Sequence, residues 1–317
     1  MRRFAIVLVP LESGPGCGIV LLIPSIIVLA LCFWMFNLAK YTLGNIFYPT
    51  HTVATTTSQW DSIGQPDWSP LDNRIAYVMN DNIFITDSNG NSVPNKIVLG
   101  TSPKWAPDGT RIAYAPGYGS KESYGVCIVV ITTLEHSCFL DTTDSGNFPL
   151  EVIGYADDGL FPYPTLAWSP NGKQIAYLCG AKDDSTFVHT CVLDTETGKS
   201  TMLSNYSFGD IQTWTAQGVI FRGGSIMKTD GTSIRGGNDV PTGSLSPNGK
   251  TMIFLDGDSL KEYDVSSKTT QWLKDIHVHE GGNAVVEWIS WSSDGTQIAY
   301  VDYDPSTKNG LIMVSNK

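Results

Sequence analysis

A ten-residue phrase recurs along this chain of 317 residues and limits its possible folds more than any other feature. Full copies read WAPDGTRIAY, WSPNGKQIAY and WSSDGTQIAY, two copies are looser, and one is shortened to WTAQGVIF. In chain order the copies begin at Trp68, Trp105, Trp168, Trp214, Leu245 and Trp291. Repeats spaced by roughly 40 residues indicate a solenoid, a propeller or another array.

Each copy has the residues of a strand, a tight turn and a second strand. A short apolar strand ends in Trp, and a Pro-Asp-Gly or Pro-Asn-Gly corner follows, in which Gly takes the positive φ that other residues resist. The Ile-Ala-Tyr segment then favours a strand, and a third and a fourth strand follow before the next copy. Four antiparallel strands per repeat form the blade of a β-propeller. We therefore predict an all-β fold, a six-bladed β-propeller of four-stranded antiparallel blades preceded by one N-terminal transmembrane helix, with the repeated Trp, Ile and Tyr packed between blades.

The phrase resembles the W-S-P-D-G-x-x-I-A-Y repeat of TolB-like propellers, also called PD40 or WD40-like repeats. The resemblance covers about residues 60–317. It implies a propeller fold, and it implies no particular activity because propellers host unrelated functions.

The N-terminal region differs in composition from the repeats. Residues 18–39 carry no charged side chain, and their 22 residues would span about 33 Å as a helix, enough for a bilayer core. Arg2 and Arg3 favour a cytoplasmic N-terminus, which would place the propeller on the extracytoplasmic side of a single-pass membrane protein. The alternative is a cleaved signal peptide. We predict a cytoplasmic tail at 1–17, a transmembrane anchor at 18–39, a linker and closing strand at 40–57, and the propeller at 58–317.

The last repeat is one strand short of a blade. After a third strand at Leu311–Val314 the sequence reaches Lys317, and an open ring would leave unpaired sheet edges. The segment His51–Ser58 is rich in Thr and contains Val, residues that favour strands. We predict that it pairs outside Leu311–Val314 and closes the ring.

Four cysteines lie among the repeats, in two pairs. Cys127 and Cys138 flank one hairpin turn, and Cys179 and Cys191 flank another, so each pair is expected on adjacent strands. In an oxidising compartment such pairs form disulfides. The alternative is that they are small buried apolar residues.

Net charge and motifs narrow the function classes. A formal charge of −11 disfavours nucleic acid as a partner. The sequence has no G-x-S-x-G, no P-loop and no G-x-G-x-x-G after a strand, so no catalytic residue is assigned. We expect a protein-binding or scaffolding module. The alternatives are a glycan- or peptide-active hydrolase or lyase that uses carboxylates with His277 or His279, and a purely structural spacer.

Two stretches, 141–165 and 275–287, exceed what four-stranded blades need, and long loops on rigid scaffolds often carry function. By strand alternation they share one face with shorter loops, opposite the Pro-Asp-Gly corners. Aromatic residues beside acids on that face suit a protein or peptide ligand at the mouth of the central channel. The predicted binding residues are Tyr118, Tyr124, Tyr155, Asp157, Asp158, Phe161, Tyr163, His277, His279 and Glu280.

Metal sites are weakly indicated. His277 and His279 would share one face of a strand, but no third ligand is evident. The pairs Asp302/Asp304 and Asp256/Asp258 place acids at alternate positions, as calcium loops do, although acids in turns look the same. We predict no metal and no cofactor.

Overall fold

The structure is a computed structural model that describes residues 49–58, 61–116, 125–139, 150–152, 165–181, 184–204, 209–221, 224–234, 241, 243–276 and 288–317. The chain divides into two compact units, Met1–Thr42 and Leu43–Lys317, and every described strand belongs to the second. Within the described ranges no helix is long and apolar enough to cross a membrane. The predicted anchor at 18–39 lies outside these ranges.

Seven strands of the first part of the chain form one antiparallel sheet in sequential order. These strands are β2 (Ile63–Trp68), β3 (Arg74–Met79), β4 (Asn82–Asp87), β5 (Asn95–Trp105), β6 (Arg111–Pro116), β7 (Val126–Val130) and β8 (His136–Phe139). Strand β5 is shared by two four-stranded units, because its first half pairs with β4 and its second half with β6. The sequence had indicated two separate strands here.

The remaining strands form antiparallel sheets that fit the blades of a propeller. One contains β10 (Leu166–Trp168), β11 (Gln174–Ala181), β12 (Asp184–Asp194) and β13 (Ser200–Ser204), and a short β9 (Leu150–Val152) also pairs with β11. The next contains β14 (Ile211–Thr215), β15 (Gly218–Phe221), β16 (Ile226–Met227) and β17 (Ser233–Ile234). A further sheet contains β18 (Ser244–Leu245), β19 (Thr251–Asp256), β20 (Ser259–Asp264) and β21 (Thr269–Asp275).

The last sheet joins both ends of the repeat region. Its order is β1 (Thr50–Thr55), β24 (Gly310–Asn316), β23 (Gln297–Tyr303) and β22 (Ile289–Trp291). Strand β1 pairs antiparallel with β24, with Thr50 opposite Ser315 and Thr55 opposite Leu311. The predicted pairing outside the third strand is therefore present, although the strand ends at Thr55 and not at Ser58.

The corners have the turn chemistry that their sequence predicts. In the corner after β5, Asp108 Oδ1 accepts hydrogen bonds from the backbone and hydroxyl of Thr110 at 2.9 and 2.8 Å. Gly109 takes φ +62°, a conformation that suits Gly because it has no Cβ. The corner acid is therefore engaged in holding the turn.

Both predicted disulfides are present. Cys127 on β7 lies opposite Cys138 on β8 and is bonded to it. Cys179 on β11 is bonded to Cys191 on β12, and these two cysteines are completely buried. Each bridge therefore ties two neighbouring strands of one sheet.

Candidate ligand-binding channel

The predicted binding residues all lie outside the described ranges. Tyr118 and Tyr124 fall in 117–124, the five residues from Tyr155 to Tyr163 fall in 153–164, and the remaining three fall in 277–287. Their arrangement therefore stays a prediction. The flanking strands are described, and Pro116, at the end of β6, lies opposite Gly100, where the inner half of β5 begins.

The strands that lead each repeat, namely β2, β5, β10, β14, β18 and β22, line a cavity of about 500 Å³. We call these the inner strands. The cavity wall extends from the residues that begin these strands to the corners, where its lining includes Pro70, Pro107, Pro170 and Pro247. This cavity is the channel in which the repeats converge.

Side chains on one inner strand bind the backbone of the next. Ser290 Oγ on β22 accepts from Trp68 N on β2 at 2.9 Å, which links the last repeat to the first. Thr165 Oγ1, just before β10, accepts from Ile211 N at 3.1 Å. These bonds satisfy polar groups of inner strands that belong to different sheets, so they fix the channel wall.

The tryptophans of the inner strands pack between sheets, as the sequence predicts. The five of them are 6–7% exposed. Trp168 Nε1 donates to the carbonyl of Lys104 at 2.9 Å, and Trp291 Nε1 donates to that of Ser244 at 2.9 Å. The guanidinium of Arg111 lies 4.9 Å from the Trp168 ring, in the range of a cation–π contact. These tryptophans hold neighbouring sheets together.

Charged side chains of the described channel wall are Asp67, Lys104 and Asp210. Asp67 Oδ1 lies 3.0 Å from Lys104 Nζ, and its Oδ2 accepts from Trp105 N at 2.7 Å. The Asp67 side chain is 16% exposed and that of Lys104 is 35% exposed. The pair joins β2 to β5 and leaves the ammonium partly open to the channel.

Sequence reasoning missed the residues that begin the inner strands. Gln65 and Ser102 have positive φ values of 54° and 55°, and Trp288 packs its ring against the backbone of Gly64, where a Cβ would have no room. The available signal was the matched pair GQPDW and TSPKW, in which Pro stands two residues before Trp.

One acid from each of the two alternate pairs, Asp304 and Asp256, makes local contacts. Asp304 Oδ1 accepts from the hydroxyl and backbone of Ser306 at 2.6 and 2.8 Å and from Thr307 N at 2.8 Å. The Ser306 hydroxyl contributes most to lowering the pKa of Asp304 to about 2. Asp256 pairs with Lys261. These contacts support the turn interpretation of both acids.

Comparisons with known proteins identify the fold of this chain. No protein-family model matches the chain, and no curated protein matches it. The solved structure of TolB from Acinetobacter baumannii is 16% identical, with a TM-score of 0.52, over 80% of this chain and 63% of that one. The chain thus spans less than two thirds of that protein. This chain has a TolB-like β-propeller fold.

Two solved lyases share the fold as well. An oligogalacturonate lyase from Vibrio parahaemolyticus is 10% identical, with a TM-score of 0.59, over 85% of this chain and 96% of the lyase. An oligogalacturonate lyase in complex with manganese is 12% identical, with a TM-score of 0.51, over the same shares of the two chains. At these identities the likeness extends to the fold alone.

Proposed function

We propose that this chain is a membrane-anchored, extracytoplasmic, six-bladed propeller that binds a protein or peptide ligand at the mouth of its channel. The anchor is residues 18–39, with the N-terminus in the cytoplasm. The two disulfides support an oxidising compartment for the propeller, since such bonds persist outside the cytosol. Ring closure by β1 supports a single rigid scaffold.

One observation carries the binding proposal: the channel is a concave site of about 500 Å³ with mixed walls. Tryptophan and proline side chains give apolar surface, and Gln65, Ser102 and Lys104 give hydrogen-bonding groups. Ligand sites combine apolar walls with a few convergent polar groups in this way.

The loop-rich face is the proposed entrance. In an antiparallel four-stranded unit the first and third strands begin at the edge where the second and fourth strands end. Segments 117–124 and 277–287 leave from the ends of β6 and β21, which therefore share the edge at which the inner strands begin. The aromatic and acidic residues of these segments would surround the entrance.

The test is capture of a partner by the intact chain in membranes from its own cells, followed by affinity measurements on variants. Tyr155→Ala and Phe161→Ala should each cost about 1–3 kcal/mol of binding if the two aromatics are anchors. Asp108→Asn, in a corner on the opposite face, is the control and should leave affinity unchanged. Loss of binding in the corner variant, with no loss in the loop variants, would show that the ligand binds on the corner face and that the proposed face is wrong.

A second candidate is a glycan lyase, which the shared fold of two oligogalacturonate lyases favours. It would need carboxylates and His277 or His279 together at the channel mouth. Within the described ranges no group of three or more His, Cys, Asp or Glu is close enough to hold a metal. Incubating the intact chain with an oligogalacturonide and Mn²⁺ tests this candidate. Ultraviolet absorbance from a newly formed double bond would favour the lyase over the binding module.

A further inference from the structure

The corner face, opposite the proposed entrance, is formed by two kinds of turn. In an antiparallel four-stranded unit, the turns that join the first to the second strand and the third to the fourth strand lie at the same edge. Corners of neighbouring sheets touch each other. The side chain of Leu71 fills the place that a Cβ of Gly109 would take, and Arg111 Nη2 donates to the carbonyl of Gly172 at 2.9 Å. The corner edges of these sheets therefore lie on one face.

Exposed apolar side chains are concentrated on this face. Among the described residues seven large apolar side chains are exposed, and four of them lie in its turns. They are Leu71 at 68%, Val93 at 90%, Leu134 at 46% and Val265 at 39%. Leu71 follows β2, and each of the others lies between a third and a fourth strand. Single exposed apolar residues are ordinary, so it is their shared position that needs a cause.

Several acids of the corner face are neutralised within it. Three ion pairs lie in its corners and turns, namely Arg74–Asp72 at 2.8 Å, Arg111–Asp108 at 2.6 Å and Lys173–Glu196 at 2.9 Å. These pairs add no net charge to the face, although the chain as a whole carries −11. Contact with an electrically neutral surface therefore meets little repulsion from these acids.

The chain enters β1 at the corner face. Lys317 N donates at 2.8 Å to the carbonyl of Thr296, which lies in the corner after β22. The preceding residue, Asn316, donates its N–H to the carbonyl of Pro49 at 3.3 Å. Strand β1 therefore begins beside a corner, and the chain that precedes it arrives at this face.

The entry point lies near an exposed apolar residue and a short distance along the chain from the proposed anchor. His51 Nε2 donates at 2.6 Å to the carbonyl of Ser88, in the turn that also carries Val93. Residues 40–48 separate Pro49 from the proposed anchor, and nine residues reach at most about 30 Å. A bilayer that holds the anchor is thus within reach of the corner face.

We propose that the corner face docks on the surface of a zwitterionic lipid bilayer, with Leu71, Val93, Leu134 and Val265 inserted among the headgroups. The inference rests on the proposed function, because it takes residues 18–39 as the anchor. The four side chains are on separate turns, and a fluid headgroup layer can surround each of them, whereas a protein partner normally meets one contiguous apolar patch. Docking in this way leaves the loop-rich face directed away from the membrane and open to a ligand.

The first test is photo-crosslinking of the full chain in phosphatidylcholine liposomes. Val93→p-benzoylphenylalanine places a lipid-reactive group on the corner face. Asp258→p-benzoylphenylalanine places the same group in the exposed turn between β19 and β20, at the opposite edge, and is the matched control. Mass spectrometry of the irradiated protein should show a lipid adduct at position 93 and little at position 258. Equal adduct yields at the two positions would overturn the inference.

A longer linker separates docking from tethering. A flexible Gly-Ser insertion of about 20 residues after Lys40 lets the propeller move away from the membrane unless its own surface holds it there. With this insertion the adduct at position 93 should persist, and its loss would overturn the inference.

Polar replacements on the corner face should weaken docking in the long-linker chain. Leu71→Ser together with Leu134→Ser should reduce the adduct at position 93 about three- to tenfold, because two apolar contacts with lipid are removed. Leu99→Ser together with Met202→Ser is the control, since these exposed apolar residues lie on outer strands and not in corner turns. An adduct yield that is the same in both double variants would count against docking.

Alkaline carbonate extraction tests the anchor separately. A chain that is extracted from the liposomes would overturn the proposed anchor and this inference together. A chain that stays in the membrane and gives no more adduct at position 93 than at position 258 would overturn docking alone, and the proposed ligand site on the loop-rich face would stand.

Discussion

The sheets β2–β13 and the sheets β14–β21 are built from the same repeat but differ in how much of it they retain. The first group has two disulfides and Trp at the end of each inner strand. In the second group β16, β17 and β18 have two residues each, and Leu245 replaces Trp. The shortened repeat, WTAQGVIF, is the one whose third and fourth strands, β16 and β17, have two residues each, whereas β19–β21 of the next repeat have six or seven.

The contacts between sheets differ in the same way. Arg74 lies over the Trp105 ring at 4.8 Å and Arg111 over the Trp168 ring at 4.9 Å. The position equivalent to these arginines is Thr251 in the repeat before Trp291. A threonine is too short to cover an indole ring.

A residue from another strand supplies the missing cation. Lys317, after β24, places its Nζ 5.1 Å from the Trp291 ring and 2.7 Å from Glu262 Oε1. The same Nζ lies 3.5 Å from Thr251 Oγ1. A cation thus lies over the inner tryptophan at this junction too, although the preceding repeat has Thr251 and not Arg at the equivalent position.

The largest expected effect comes from truncating the inner tryptophans. Trp168→Ala should cost about 3–5 kcal/mol of unfolding free energy through the cavity it leaves. Trp214→Ala should cost about 1 kcal/mol less, because Trp168 also loses the Arg111 contact and its bond to the Lys104 carbonyl. Denaturant unfolding of both variants measures the difference. Equal losses of unfolding free energy in the two variants would show that the sheets of the first group pack together no more firmly than those of the second.

Much of the fold was predictable because it follows from local chemistry. The Trp ends of the inner strands, the corners held by acids such as Asp108, and both cysteine pairs follow from patterns of about ten residues. The pairing of β1 with β24 followed from a count of strands. Each of these depends on residues close in sequence or on the need to pair an edge.

The channel could not be predicted to the same extent, because it depends on where separate strands meet. The bond from Ser102 N to Gln65 Oε1 joins residues 37 positions apart, and no local pattern announces it. The continuity of β5 through Gly100 was also unforeseen, since a single strand serving two units leaves no turn signal. The loops predicted to bind fall outside the described ranges, so their contribution stays a prediction.

An intermediate effect is expected from removing a disulfide of the first group. Replacing Cys179 and Cys191 with Ala opens a loop of about a dozen residues and should cost about 2–4 kcal/mol. Amide hydrogen exchange in β11 and β12 should then become as fast as in β19 and β20, which lack a bridge. Denaturant unfolding together with hydrogen exchange checks both statements. Unchanged protection of β11 and β12 would show that their packing, and not the bridge, sets their stability.

The smallest effect concerns an Asp that both groups of sheets share. It ends the third strand of its sheet, β12 in the first group and β20 in the second. Asp194 and Asp264 each accept a backbone hydrogen bond three residues on, from Thr197 N at 2.8 Å and Ser267 N at 2.7 Å. The backbone bond from Thr197 is the main cause that lowers the pKa of Asp194, and the hydroxyl of Ser266 is the main cause that lowers the pKa of Asp264 to about 2.

Because these pKa values are depressed in the folded protein, the stabilisation is present above the ordinary value of 3.8 and is lost as pH falls through the folded value. Asp194→Asn and Asp264→Asn should therefore lower stability slightly at neutral pH, by less than the tryptophan or cysteine replacements do. In both variants, stability should fall less than in the native chain as the pH is lowered from about 4 to 2. Melting temperatures measured across that range check the sign. The two variants should behave alike, because this turn is intact in both groups. A much larger loss of stability for Asp264→Asn than for Asp194→Asn would contradict this expectation. It would mean that the sheets β14–β21 depend more on their hairpin turns for stability than the sheets β2–β13 do.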